Sequence, residues 1–377
     1  MMTTTNETLT PVTLDELQMM TDFNYLHDRG EIAFQEVNTT NYLASRLDEM
    51  GISYERFDGF TGLLATIGDG RKPLIGLRTD IDALKQVYQG KTGVFHSCGH
   101  DSHMTMILAV AKYFSENPDQ LPGTLKIIFQ PAEETVTGAE RVIKSGQLPQ
   151  LDYLYGVHVA AANDIAGKHA APIIMAAATR TYWVTITGKT AHAGRPWLGA
   201  NVIDAFSTIN EKFKQIKLDT DTPYSCITTM FQAGESSNIV PDRATFAVDL
   251  RARNNDLMNE MQEQAFAIMK SVETDDIKVI LDGNDLSPAS IPSEPAMANM
   301  RQAIVNVLGE DGLVEAKPSQ GGDDFHFYAY DGIAKETTML GLGCDLKPGL
   351  HVPGMTFDRS AMFDGAKMLI DAIRLTK

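Results

Sequence analysis

Apolar and polar positions change period along the chain, and those changes divide it into elements. Thr13-x-x-Glu16 reads as a capping box that opens an apolar-periodic helix to about His27. A second helical pattern runs from Asn38 to Met50, with Gly51 as its C-cap. LLATIGD and PLIGLRTDID read as strands, the second ending in Asp80 and Asp82. MTMILAVAKYF predicts a buried helix, TLKIIFQ a buried strand running into PAEE, and LDYLYGVHV a strand ending near His158. Strands alternating with helices predict an α/β layer with a largely parallel sheet. In such sheets the site lies at the carboxyl ends of the strands. Asp82, Glu133, Glu134, His158 and a histidine-rich run all fall there.

From about Ala176 the order changes. A strand (TRTYWVTITGK), a helix (GANVIDAFSTINEKFKQI) and two strands (YSCITTMFQAG, RATFAVDLRA) are followed by a helix (NDLMNEMQEQAFAIMKSV) and a strand (IKVILDG). This β-α-β-β-α-β succession is the ferredoxin-like order. The α/β pattern then returns with a helix from about Glu294, GGDDFHFY, ETTMLGLG and a closing helix. The expectation is a small domain over residues 173–286, inserted into a larger one built from 1–172 and 287–377. A length of 377 residues agrees with two domains.

Composition narrows the class. A formal net charge of −17, from 49 acidic and 32 basic residues, argues against nucleic acid and anionic membrane as partners. No apolar run reaches the ~18–20 residues that span a bilayer. The start, MMTTTNETLTPVTLDELQ, has neither a basic n-region nor an apolar h-region, so no signal peptide is expected. Three cysteines spaced far apart make no disulfide framework, and a reducing cytoplasm is expected.

The chemistry concentrates in HSCGHDSH, residues 96–103, which holds three of the nine histidines and one of the three cysteines. In an extended chain Cys98 and His100 would point to one side and reach one ion. Thiolate and imidazole suit transition metals. The plain alternative is a structural cysteine beside surface histidines. Glu133 and Glu134 are adjacent, so their side chains should diverge: one would ligate while the other faces the attacking water. A metal lowers the pKa of its water toward ~7, and a nearby carboxylate takes the proton. A solvated acidic pair is the alternative. His158 and His351 (in GLHVPG) would complete the ligands for two ions together with Cys98, His100 and one glutamate. His192, in GKTAHAGRP of the inserted domain, stands apart from that cage and suits closure over a substrate; a surface histidine in a Gly-rich turn is the alternative. No G-x-S-x-G elbow, G-x-G-x-x-G loop or P-loop is present. A Cys98/His100 nucleophile pair lacks a third, orienting group.

RTDIDAL, HSCGHDSHMTM, FQPAEETVTGAERVIKSG, GVHV, GKTAHAGRP, SSNIVPDRATFAVDLR, GGDDFHFY and LHVP occur in this order over nearly the whole chain. In them the sequence resembles the M20 metallopeptidases, in particular the amidohydrolase subfamily of N-acyl-amino-acid, hippurate and auxin-conjugate hydrolases. The resemblance implies a di-metal α/β catalytic domain with an inserted ferredoxin-like lid through which the chain dimerises. It implies Cys98 as shared ligand, with His100, Glu134, His158 and His351 as the other ligands. Glu133 becomes the general base and Asp82 the carboxylate that orients a ligand. His192 becomes the lid histidine that supports the tetrahedral oxyanion, and Asn238 and Arg251 lid residues near the substrate.

The implied reaction is hydrolysis of the amide of an N-acyl amino acid or related conjugate. Its water is held between two divalent ions (Zn²⁺ or Mn²⁺, with Co²⁺ and Ni²⁺ open) and activated by Glu133. A dipeptidase or aminopeptidase on the same scaffold, a catalytically silent metal-binding protein and a cysteine hydrolase using Cys98 are the competing readings. The sequence departs from the family pattern in three places. Lys85 follows DAL where proline is usual, HDRGEIAF stands where the HPE motif is usual, and Asp323 precedes DF where glutamate is usual. The first two lie near the site edge and bear on the substrate.

Overall fold

The computed structural model describes residues 9–319 and 321–377. Residues 1–8, on which part of the signal-peptide reading rests, lie outside the described residues. The chain divides into two compact units. One runs to Met175 and resumes over Ile291–Lys317 and Asp324–Lys377; the other comprises Ala176–Ser290 and Pro318–Asp323.

The first unit opens with α1 (Glu16–His27) and α2 (Val37–Glu49). The cap of α1 is Asp15, not Thr13: its carboxylate accepts the Gln18 N–H at 3.0 Å. The helix therefore starts later than the Thr13 box proposes, and a charged cap complements the helix dipole where a threonine would not. Five strands follow: β1 (Ser53–Arg56), β2 (Leu63–Ile67), β3 (Leu74–Asp80), β4 (Leu84–Tyr88) and β5 (Lys91–Phe95). Next come α3 (His100–Glu116), β6 (Thr124–Gln130), α4 (Gly138–Ser145), β7 (Leu151–Ala161) and β8 (Ala170–Ala171).

In the second unit β9 (Ala178–Thr187) and β10 (Ala191–His192) precede α5 (Val202–Phe213), and β11 (Ser225–Ala233), β12 (Ile239–Val240) and β13 (Arg243–Ala252) follow it. The unit ends with α6 (Asn255–Lys270) and β14 (Lys278–Ser287). The chain then completes the first unit with α7 (Glu294–Leu308), α8 (Phe327–Tyr330), β15 (Ala334–Leu346) and α9 (Ala361–Arg374).

The sheet of the first unit has the order β1-β2-β6-β3-β7-β15-β8. Its centre, β6-β3-β7-β15, is parallel, and antiparallel pairs flank it on both sides. Central strands are buried at nearly every position, which is why they read as continuous apolar runs. Helices α1, α3, α9 and α7 pack side by side in series. Phe23, Phe114, Leu125, Phe129, Leu340 and Leu369 are among the fully buried core side chains.

Because the central strands run the same way, their carboxyl ends deliver Asp82, the Glu133–Glu134 turn and the His351 loop to one edge. His158 lies within β7, three residues before its end rather than at it. The helix after the histidine-rich run begins at His100. Cys98 and His100 are therefore not on an extended segment. Gly99, left-handed at φ 90°, turns the chain between them into the first turn of α3.

The second unit is a four-stranded antiparallel sheet in the order β11-β13-β9-β14, carrying α5 and α6. In its own strand sequence that is 2-3-1-4, the ferredoxin-like arrangement. Tyr182, Val184, Ile186, Phe246, Val248 and Leu250 alternate onto the helix-covered face. The open face carries the cross-strand row Met230–Ala247–Trp183, with Ile227 and Ile280 beside it.

One close approach fixes the Glu133–Glu134 turn against α4. A Cβ on Gly138 would lie 1.7 Å from the Pro131 carbonyl oxygen. Gly138→Ala is thus expected to push the two apart and to lower stability by ~1–3 kcal/mol. Equilibrium denaturation should show a lower midpoint with an unchanged slope.

Candidate metal centre

Cys98 is buried, and its Sγ lies 3.4 Å from His158 Nε2 and 3.2 Å from His351 Nε2. The backbone places it there through Gly99. A Cβ at that position would meet Val159 at 2.5 Å, so glycine is required both for its left-handed φ and for space. His100 opens α3, fully buried, with Nδ1 2.9 Å from the Asp82 carbonyl and 3.3 Å from Asp82 Oδ1. His158 directs Nδ1 to the Val159 carbonyl at 2.8 Å. A carbonyl can only accept, so both rings carry a proton on Nδ1 and turn Nε2 toward the cluster. That is the usual arrangement of a ligating histidine.

The neighbouring histidines of the run behave differently. Both nitrogens of His103 are engaged: Nδ1 donates to Asp80 at 2.8 Å, and Nε2 accepts the Val159 N–H at 3.0 Å. His96 is buried, with no hydrogen-bond partner for its ring nitrogens among the described residues, and burial pushes its pKa down to about 4. Of the three histidines in HSCGHDSH, only His100 turns Nε2 toward the cluster.

Glu133 and Glu134 sit on a one-turn 3₁₀ segment flanked by Ala132 and Val136, both left-handed at φ 58° and 56°. A β-branched residue seldom adopts that conformation. Two buried carboxylates hold the turn: Glu36 Oε1 accepts the Ala132 N–H and Asp82 Oδ2 the Glu134 N–H, each at 3.0 Å. On so tight a turn the adjacent glutamates do not diverge as expected. Both reach within 3.8 Å of His100 Nε2. They differ in their other neighbours. Glu134 Oε2 lies 3.5 Å from His351 Nε2, so Glu134 forms a donor group with Cys98 and His351, and Cys98, His100 and His158 form a second. Within each group the ligand atoms lie within 4.8 Å of one another, and Cys98 belongs to both. Glu133 belongs to neither of these two, but groups with His100 and Glu134, and with Asp323 and Asp324.

The electrostatics suit a cation. Among the described residues, His100 Nε2 and Glu134 Oε1 are buried without hydrogen-bond partners. Burial, with Asp82 and Asp80 nearby, pushes the Glu134 carboxyl up to about 7 against the pull of His100. Burial also drives the Cys98 thiol well above its ordinary range. Burial opposes a charged His100, yet Asp80, Asp82 and Cys98 outweigh it and hold the ring well above the usual imidazole value. Without a cation the cluster takes up protons; divalent ions would displace them.

In the second unit His192 lies on β10, opposite Ile239 of β12. Its Nδ1 accepts the Gly194 N–H at 2.9 Å, so the neutral ring carries its proton on Nε2. Asn238 adjoins it, with its carbonyl accepting the Ala193 N–H at 2.9 Å. Arg251 is placed elsewhere. It pairs with Asp249 at 2.9 Å, eight residues along β13 from Arg243 and so roughly 27 Å from the end that borders this turn. Glu36, Asp80 and Gln86 also hold the site, although none of the three is among the candidate site residues that the sequence singles out. Asp80 receives Arg78 at 2.8 Å and His103 at 2.8 Å, and Gln86 reaches His351. Only RTDID, with its two aspartates, carried a local signal for any of them.

A mixed sheet whose parallel strands deliver two donor groups around one cysteine defines a metallohydrolase. The chain belongs to peptidase family M20/M25/M40, whose profile matches residues 76–375. It is 29% identical to the IAA-amino acid hydrolase ILR1-like 2 of Arabidopsis thaliana over 84% of this chain and 75% of that one. It is 30% identical to the N-acetyl-L-cysteine deacetylase of Bacillus subtilis over 98% and 94%. In fold it is similar to a Bacillus subtilis protein described as a dinuclear metal-binding peptidase of family M20. That match has a TM-score of 0.75 and 24% identity, and covers 95% of this chain and 97% of that one.

Glu36 supplies a test of how the glutamate turn is held. It is fully buried, accepting from the Thr61 hydroxyl as well as from Ala132. Glu36→Ala would strand both donors, at about 1–3 kcal/mol each. Glu36→Gln keeps an acceptor and should lose much less. Urea unfolding of the two variants distinguishes them, with Ala the more destabilised.

Proposed function

We infer that the chain is a metal-dependent amidohydrolase that cleaves the amide bond of N-acyl amino acids or related amino-acid conjugates. The observation that carries this reading is the pair of donor groups sharing Cys98, with the Glu133 carboxylate 3.8 Å from His100 Nε2. The names of the relatives, a hydrolase of an amino-acid conjugate and a deacetylase of an N-acetyl amino acid, point to the substrate class.

In this reading Cys98, His100 and His158 hold one divalent ion, and Cys98, Glu134 and His351 the other. Asp82 orients His100 and the Glu134 backbone. When bound, the ions supply Lewis acidity that brings a water pKa toward ~7 and polarises the scissile carbonyl. Glu133 takes the proton from the attacking water and returns it to the leaving amine. His192 donates Nε2–H to the carbonyl oxygen as charge develops there. Asn238 holds the His192 turn and faces the substrate, whereas Arg251, paired with Asp249 away from that turn, is not assigned to the substrate.

The thiolate, imidazole and carboxylate donors suit Zn²⁺ or Mn²⁺, with Co²⁺ or Ni²⁺ as substitutes. A cysteine ligand requires a reduced thiol, and the three described cysteines are free, which fits a cytoplasmic setting. Among the described residues no helix is long and apolar enough to cross a membrane. The net charge of −17 disfavours nucleic acid as a partner. The second unit acts as lid and as dimerisation surface. Its open sheet face exposes Ile227 (57%), Met230 (64%) and Ile280 (47%), an apolar area that a second copy of the chain would cover. Metal removal separates this reading from a cysteine hydrolase using Cys98, because a thiol enzyme would keep its activity without metal.

A panel of N-acyl amino acids, assayed on metal-stripped protein reloaded with each ion, tests the activity; no turnover with any ion would reject it. Glu133→Gln should keep its metal and lose ~10²–10⁴-fold in kcat. Glu134→Gln and Cys98→Ser should instead lose metal by elemental analysis. Exchanged outcomes for the two glutamates would reverse their roles.

His192→Ala should lower kcat by ~10²–10³-fold with unchanged metal content and little change in KM. Mixing inactive His192→Ala and Glu133→Gln chains, with subunit exchange verified, tests whether the histidine acts across a dimer. Partial recovery is the expected result.

A further inference from the structure

We propose that Gln86 is a positioning residue: it presets His351, and so sets the hold on the ion of Cys98, Glu134 and His351 while leaving that of Cys98, His100 and His158 unchanged. The inference rests on the two-ion reading above and adds an asymmetry to it.

Two hydrogen bonds pin the backbone of His351, and a third joins the two residues that make them. Its N–H donates to the Ser97 carbonyl at 2.6 Å, its carbonyl accepts from Gln86 Nε2 at 2.8 Å, and the Ser97 hydroxyl donates to Gln86 Oε1 at 2.8 Å. The His351 carbonyl can only accept, so the orientation of the Gln86 amide is fixed. Gln86 thereby ties the segment that carries Cys98 to a loop 265 residues away. His351 needs such a tie. It is left-handed at φ 62°, a conformation that a non-glycine residue keeps only where its surroundings impose it. Its side chain is 57% exposed, so packing does not hold the imidazole. His100 and His158 differ on both counts: each is buried, with Nδ1 fixed by a backbone carbonyl.

The rest of the β4–β5 hairpin serves the same loop. The Tyr88 hydroxyl lies 2.6 Å from where a Cβ on Gly354 would stand. Lys85, the departure from the family pattern, precedes Gln86 on β4 and is exposed, as strand alternation requires of its neighbour.

The test titrates metal-stripped protein with Co²⁺, reading bound ion by equilibrium dialysis and the thiolate charge-transfer absorbance. Wild type should bind two ions. Gln86→Leu should retain one at wild-type affinity and bind the other ~10–100-fold more weakly, the usual effect of losing a partner that orients a ligand. Ser97→Ala, which removes only the hydroxyl that steadies the amide, should weaken the same ion by less. Melting curves of the stripped variants verify folding, and either variant alone suffices. Two ions at wild-type affinity in both variants, or equal weakening of both ions, would overturn the positioning role while the wild-type titration leaves the two-ion reading intact. A wild type that binds no second ion would overturn both.

Discussion

Asp80, Asp82, Glu133 and Glu134 meet inside the first unit, where burial makes uncompensated negative charge cost several kcal/mol per group, to order of magnitude. Arg78 answers Asp80 and Asp324 from one guanidinium, at 2.8 and 2.6 Å. Burial works against Asp80, but His100, His103 and Arg78 together keep it ionised. Glu134 is answered less fully: His100 pulls its carboxyl down, yet burial with Asp82 and Asp80 carries it up to about 7. The first unit is thus built around a deficit of positive charge. Divalent ions between the two donor groups would remove that deficit, and the affinity for metal and the stability of the unit would then be one quantity.

Holding donors against this repulsion requires backbone that ordinary elements do not supply. Gly99, Ala132, Val136 and His351 are all left-handed, and each is, or lies within two residues of, a proposed ligand or base. Strain of this kind persists only where neighbours over-determine it. Here the neighbours are polar and distant in sequence. Glu36 and Asp82 take the N–H groups on either side of Glu133, and Gln86 and Ser97 hold the His351 peptide. The core of the first unit fixes the strands, and these hydrogen bonds carry that rigidity the last few ångströms to the donors. Among the described residues the second unit has no such cluster. It is a small sheet with one helix-covered face, and its polar turn at His192 is organised by the Gly194 and Arg195 amides donating to His192 and the Ala193 amide donating to Asn238.

Apolar periodicity was enough to place the helices and strands of both units, because burial of one face and backbone pairing are local demands that recur every few residues. The ferredoxin-like order was legible for the same reason. Metal-ligand chemistry also left a local mark in the residue types themselves: Cys98, His100, the glutamate pair, His158 and His351 could be singled out before any fold was known. Errors arose where one local rule competed with another. Asp15 displaced Thr13 as the cap of α1 by carrying charge, and Gly99 turned Cys98–x–His100 from a strand into a helix start. A 3₁₀ turn brought together glutamates that an extended chain would separate.

Which nitrogen of each histidine is available, and which groups hold the donors, only the tertiary structure decided. His100 and His103 stand three residues apart in one motif; the Asp82 carbonyl leaves Nε2 of the first open, whereas Asp80 and the Val159 amide use both nitrogens of the second. Arg78 meets Asp324 across 246 residues, and Gln86 meets His351 across 265. Such pairs leave no periodic trace, because a single hydrogen bond between remote residues constrains neither segment's local pattern. The sequence by itself determined the elements and the kinds of ligand atom, which depend on neighbours along the chain. Their convergence, tautomers and tethers depend on neighbours in space, and those exist only once the parallel strands have brought their carboxyl ends to one edge.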